Sequence, residues 1–158
     1  MSVVALIRDA RPDEASALES LQRRASDVWA EYRAQLAAHP DAIAPPHRAI
    51  AEKRVRVAVD PSGLLLGFSV VLVVEDGRCE LDDLFVEPDW MRRGVGSLLV
   101  HDVEKRAVAA GSRYVDVIAN PYALGFYERL GFELTGRSST RFGSAPRMTL
   151  DLTRVSRR

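Results

Sequence analysis

A single cysteine, Cys79, stands in 158 residues. No intramolecular disulfide can form, which fits a reducing compartment. Lysine is almost as scarce: Lys53 and Lys105 are the only two among 22 basic residues, a bias toward arginine that we read as composition. Net charge is missing too, with 22 acidic residues against the 22 basic ones, which argues against nucleic-acid or membrane-surface binding through bulk charge. No apolar run approaches the roughly 20 residues that cross a bilayer. The opening residues 1–8 are apolar only briefly and carry no basic leader, so they are not read as a signal peptide. Neither His–carboxylate nor Cys spacing offers a metal site. There is no repeat, linker or low-complexity tract. The expectation is one cytoplasmic domain over 1–158, with a core of about 5–152 and no metal.

What is present is ordinary for a globular chain: 47% hydrophobic and 28% charged residues. A short β-branched stretch predicts a strand over 3–7. Pro12-Asp13-Glu14 starts a helix with the stripe Ala15, Leu18, Leu21 and Ala25, reaching about Arg24. Ser26-Asp27 is read as the cap of a second helix holding Val28, Trp29, Tyr32, Leu36 and Ala37, ended by His39-Pro40. After a loop over 41–47 and a helical turn over 48–53, the period changes to two. Strands are predicted over 55–59, 64–74 and 79–86, joined by turns at 60–63 and 75–78, with Gly67 marking a bulge or close packing. A helix from Val95 capped by Gly111, a strand over 114–118, and a helix opened by Asn120-Pro121 and closed by Gly131 follow. The last strands are placed at 132–134 and 147–152, around a polar loop over 137–144. The helix between strands 79–86 and 114–118 implies a right-handed crossover and a parallel pair.

The chain is organised around residues 84–99, where a strand ends, two glycines follow, and a helix begins. The first turn of a helix carries backbone N–H groups without internal partners and a partly positive dipole end. Gly94 and Gly96 let a ligand approach that backbone, and Arg92 and Arg93 add charge. Taken alone the pair is equally an ordinary glycine turn.

Two motifs decide between these. Leu84-Phe85-Val86 followed by Arg92-Arg93-Gly94-Val95-Gly96-Ser97, and then Asn120-Pro121-Tyr122-Ala123-Leu124-Gly125-Phe126-Tyr127-Glu128-Arg129-Leu130-Gly131-Phe132, resemble the GNAT (Gcn5-related) N-acetyltransferase superfamily. The element order agrees over about 7–152. The resemblance implies an α/β (α+β) GNAT fold. Its mixed, mostly antiparallel sheet would have about 6–7 strands with helices on both faces, splayed between the fourth and fifth strands. It implies acetyl-CoA as co-substrate, with backbone of Leu84, Phe85 and Val86 along the pantetheine arm, amides of Arg92, Arg93, Gly94, Val95, Gly96 and Ser97 on the pyrophosphate, and Asn120 on the arm from the other side. One departure stands out: Met91 occupies the place where the family usually has Arg or Gln.

Acetyl transfer to an amine needs a neutral amine, a stabilised oxyanion and a protonated leaving group. Tyr127 resembles the family's general acid, and it also lines the cofactor. Otherwise it is simply a helix residue packed on the sheet. Glu80 and Asp82 fall on one face of their strand and match positions where family members keep a proton acceptor, while Asp83 points the other way. Glu75 is a weaker candidate. Trp29 and Tyr32, three apart, lie where the family builds its acceptor site, although that spacing is more often core. His39 and His47 are read as loop or capping residues. The resulting expectation is an N-acetyltransferase acting in a ternary complex on a small-molecule amine. Alternatives are a protein or peptide amine, or a non-catalytic acyl-CoA-binding module whose only support is Met91. A homodimer is an expectation of the resemblance. A Rossmann dinucleotide site fails because the loop follows antiparallel strands and lacks a third glycine at Leu99.

Overall fold

A computed structural model describes residues 4–74 and 76–155. The chain runs β1 (Leu6–Asp9), α1 (Ala15–Ser26), α2 (Ala30–Ala38), α3 (His47–Ala51), β2 (Val55–Val59), β3 (Leu65–Val74), β4 (Arg78–Val86), α4 (Val95–Ala109), β5 (Tyr114–Ile118), α5 (Leu124–Arg129), β6 (Glu133–Thr140), β7 (Gly143–Asp151) and α6 (Leu152–Val155). The strands form one seven-stranded sheet in the order β1-β2-β3-β4-β5-β7-β6. The β4–β5 pair is parallel and the β1–β2, β2–β3, β5–β7 and β6–β7 pairs are antiparallel, as the crossover required. The described β4–β5 register runs only from Arg78↔Tyr114 to Leu81↔Val117, while β4 continues to Val86.

Chain contacts divide the fold into two compact units: residues up to Val70 with Asp83–Val100, and Val71–Asp82 with residues from His101 onward. In the first unit, helices pack on both sides of the strands because side chains alternate along β2. Val55, Val57 and Val59 meet Leu18 and Leu21 of α1, Ala49 and Ile50 of α3, and Phe68 and Val70 of β3. Ala58 and Leu66 instead meet Val95 and Leu99 of α4, with Leu84, Val86 and Trp90 alongside. Helix α1 enters through Glu14, whose carboxylate accepts from the Arg11 amide and from both terminal nitrogens of Arg8. In the second unit Cys79, Leu81, Val115, Val117, Met148 and Leu150 are buried. Their sheet neighbours Arg78, Glu80, Tyr114, Asp116, Arg147 and Thr149 occupy the opposite face.

Several expectations needed correction. The first strand is Leu6–Asp9, later than predicted, and Val3 lies outside the described residues. Helix α1 runs on to Ser26 with Asp27 as its C-cap, and α2 starts at Ala30 with Trp29 as its N-cap, so Ser26-Asp27 closes the first helix and does not open the second. Val28 therefore precedes α2, while Trp29 is its N-cap, with extended backbone and a carbonyl that accepts from the amides of Tyr32 and Arg33 in the first turn. The polar loop expected over 137–144 is largely a β-hairpin, with β6 reaching Thr140 and β7 beginning at Gly143. Its residues are polar because seven of the eight in β6 are exposed on the sheet's edge, so no buried face imposed apolar alternation. In the turn expected over 75–78, Asp76 and Gly77 take φ of 66° and 72°, the left-handed pair of a two-residue hairpin turn, while Glu75 lies outside the described residues.

Candidate active site

The segment after β4 is shaped by a close approach that only glycine allows. A Cβ on Gly67 of β3 would lie 2.7 Å from the Phe85 carbonyl oxygen. The strands therefore meet backbone to backbone there, and the Glu87 amide donates to the Leu66 carbonyl at 2.8 Å. Phe85 packs on Phe68 with ring centroids 5.6 Å apart, whereas Leu84 and Val86 turn to the α4 side. Glu87 is clamped by Arg24 of α1 through two 2.7 Å hydrogen bonds, a pair that sequence gave no means of finding.

Beyond a single turn at Pro88–Trp90, Met91 is extended and Arg92 takes a left-handed φ of 64°. Gly94 follows at 89°. Both angles reverse the chain into α4, and the Arg92 conformation is one an L residue adopts at some cost. Val95 is buried and fixes the helix start. The amides of Val95, Gly96 and Ser97 have no backbone acceptor among the described residues, as expected of a first turn. A Cβ at Gly94 would touch nothing within 4 Å, so the turn opens outward. Arg93 lies over the Trp90 ring at 5.1 Å, which parks one cation beside the opening. These residues fit a phosphate or pyrophosphate group, held by amides with Arg92 and Arg93 adding charge.

In the second unit, Asn120 caps the turn at Pro121–Ala123, its carbonyl oxygen accepting from the Tyr122 amide at 2.9 Å. The cap leaves the side-chain amide nitrogen to donate elsewhere. Tyr127 of α5 is buried, in edge contacts with Phe126 at 5.0 Å and Phe132 at 5.3 Å. Its ring orientation is thereby set by packing. On β4, Cys79 and Leu81 point inward while Glu80 is half-buried and Asp82 exposed on the other face, as alternation predicted. Glu80 makes no hydrogen bond or ion pair among the described residues. Burial, together with the charges of Asp116 and Glu80, pushes the Cys79 thiol up, which makes it a poor nucleophile. Trp29 and Tyr32 are both half-buried and join neither described core cluster, and α2 has no fully buried residue. Burial raises the Tyr32 phenol, with Glu31 adding to it.

Sequence reasoning missed Asp116. Its carboxylate is buried, yet it is well served: Arg78 donates through Nε at 2.7 Å and Nη2 at 2.9 Å, and Thr149 Oγ1 donates at 2.7 Å. Arg147 Nη2 stands 3.4 Å away. Burial pushes the carboxyl up, but the hydrogen bonds from Arg78 and Thr149 and the charges of both arginines outweigh it and hold it below its usual value. The signal was available, since a charged residue interrupts the otherwise apolar strand Tyr114-Val115-Asp116-Val117-Ile118. No group of three or more potential metal ligands occurs among the described residues.

Comparison with known proteins gives these features a family. Residues 31–148 match the model of an acetyltransferase (GNAT) domain. A peptidyl-lysine N-acetyltransferase, YjaB of Salmonella typhimurium, is 31% identical over 137 residues, which is 84% of this chain and 86% of that protein. A shorter match, 39% identical over 57 residues, spans 34% of this chain and only 25% of an uncharacterized N-acetyltransferase, MJ1207, of Methanocaldococcus jannaschii. Among solved structures, a PaiA N-acetyltransferase from Thermoplasma acidophilum in complex with coenzyme A shares the fold. Its TM-score is 0.76 at 18% identity, covering 94% of this chain and 99% of that one. The chain belongs to the GNAT acetyltransferase superfamily and is an acyltransferase.

Proposed function

We propose that the protein transfers an acetyl group from acetyl-CoA to the primary amine of a small molecule, within a ternary complex. Glu80 is the observation that carries this reading. Its carboxylate is half-buried, reaches water, and has no hydrogen bond or ion pair among the described residues, so it is available to an incoming amine. Acetyl-CoA, when bound, supplies the activated thioester acetyl group. In the first unit the amides of Arg92–Ser97 would hold its pyrophosphate and the backbone of Leu84–Val86 its arm, with a backbone N–H near Leu84–Phe85 available to developing negative charge; in the second unit the Asn120 side-chain amide would donate to the arm. Glu80, with Asp82 as the neighbouring acid on the same face, accepts the proton that the acceptor nitrogen must lose. Tyr127 Oη delivers a proton on the leaving-group side, for which a phenol with a usual pKa of about 10 is suited.

A second reading is favoured by the Salmonella relative, whose name describes action on peptidyl lysine. An acceptor screen followed by coenzyme A release separates the two. Turnover of free amines is expected, and Glu80→Gln should lower kcat by roughly 100-fold with little change in the KM for acetyl-CoA. Turnover confined to lysine-containing peptides would remove the small-amine reading, and unchanged kcat in Glu80→Gln would remove the assignment of the base.

A further inference from the structure

The polar face of the second unit holds a cation with more donors than its partner can use. Asp116 already receives three hydrogen bonds, two from Arg78 and one from Thr149. Arg78 alone balances its charge. Arg147 is therefore surplus: its guanidinium makes one ion pair at 3.4 Å and no hydrogen bond among the described residues. It is nonetheless held in place, with 36% side-chain exposure. Its strand neighbours are Ile118 on β5 and Gly136 on β6, and neither side chain offers an acceptor. A Cβ on Gly136 would meet nothing within 4 Å, so the space on that side is open. A guanidinium with five planar donors, anchored by one buried carboxylate and otherwise unspent, is suited to a second carboxylate.

The same face carries the acids. Glu80 is in register with Asp116, and Thr149 pairs with Asp116 from the other side, so Glu80 and Arg147 project from the same side of the sheet. Arg147 pairs with Ile118, two residues along from Asp116, so its backbone lies two strand spacings (about 10 Å) across and about 7 Å along from that of Glu80, a gap that two long side chains and a small ligand can span. One small molecule can satisfy both ends only if it has an amine for the acids and a carboxylate for the arginine.

We propose that Arg147 binds the carboxylate of the acceptor, and that the acceptor is a free amino acid or a comparably small amino-carboxylate. This rests on the small-amine reading above and names its substrate class. Arg78 is the positioning residue, since its hydrogen bonds fix Asp116, which in turn holds Arg147.

The test is a set of paired acceptors that differ only in the carboxylate: amino acids against their decarboxylated amines of equal chain length, with a lysine-containing peptide as a third arm. Each is assayed by coenzyme A release with the wild type, Arg147→Gln and Arg147→Lys. The wild type should prefer the carboxylate member by roughly 10- to 100-fold in kcat/KM. In Arg147→Gln that preference should collapse, through KM and not kcat, with a much smaller change for the decarboxylated partners. Arg147→Lys should restore part of the preference. Binding of the amino-carboxylates, followed by thermal shift with coenzyme A present, should be lost in Arg147→Gln even for acceptors that turn over slowly. Equal use of both members of each pair would overturn this inference and leave the small-amine reading standing. Activity on the peptide alone would overturn both.

Discussion

Asp116 concentrates the residue-scale consequences. Asp116→Ala removes the hub of three hydrogen bonds and leaves Arg78 and Arg147 without it. Both arginines are only about a third exposed, at 37% and 36%, so water compensates them in part. We expect a loss of about 2–3 kcal/mol in chemical denaturation. Tyr127 should behave in the opposite way. Tyr127→Phe keeps the ring that packs on Phe126 and Phe132, so stability should change by less than about 1 kcal/mol. Acetyl transfer should nevertheless fall roughly 100-fold in kcat if the hydroxyl is the proton donor. Retention of full activity across the pH range would end that assignment. Tyr127 was legible because a sequence motif surrounds it. The pairing of Asp116 with Arg78 was not, because 38 residues separate them and only the parallel register brings them together.

At the scale of elements, the close approach of β3 to β4 is the feature most open to test. Gly67→Ala would set a methyl group 2.7 Å from the Phe85 oxygen, against backbone that cannot swing aside. A destabilisation of about 2–3 kcal/mol is expected, with a raised KM for acetyl-CoA because Leu84–Val86 would shift. Native-like affinity in a folded Gly67→Ala protein would separate that strand from cofactor binding. The glycine itself was readable in advance as a bulge or close contact. The boundary between α1 and α2 was not. Ser26-Asp27 has the composition of a cap, yet α1 carries its helical bonding through to the Asp27 amide, which donates to Arg23. Tertiary packing of Leu18, Leu21 and Ala25 overrode a local preference worth about 1 kcal/mol.

For the whole molecule, the carboxyls set the response to acid. Glu14 is held below its usual value by its hydrogen bonds with Arg8, burial opposing, and Asp116 is held down as described. The unfolded chain therefore takes up protons at these sites before the folded protein does. The stability they contribute is complete above the unfolded carboxyl range, about pH 4, and is lost as pH falls through their lowered folded values. Urea midpoints should be flat between pH 5 and 7 and drop below about pH 4, with a shallower drop in Asp116→Asn. A midpoint independent of pH down to about 3 would show that these pairs do not persist in solution.

Residue order alone determined the succession of strands and helices from β1 to β7, the parallel crossover, the glycine turn into α4 and the family, but not α6. Each of these depends on local periodicity, turn chemistry or a contiguous motif, all carried by neighbours in the chain. Tertiary structure alone decided which carboxylates are spent and which are left over. Glu80 and Asp116 are both acids on strands, indistinguishable by pattern, and register places Arg78 on one and not the other. It likewise decided that Arg147, an unremarked residue in the last strand, is anchored and still has donors to give. Hydrogen-bond satisfaction is a property of groups that meet across strands, and no spacing along the chain encodes it.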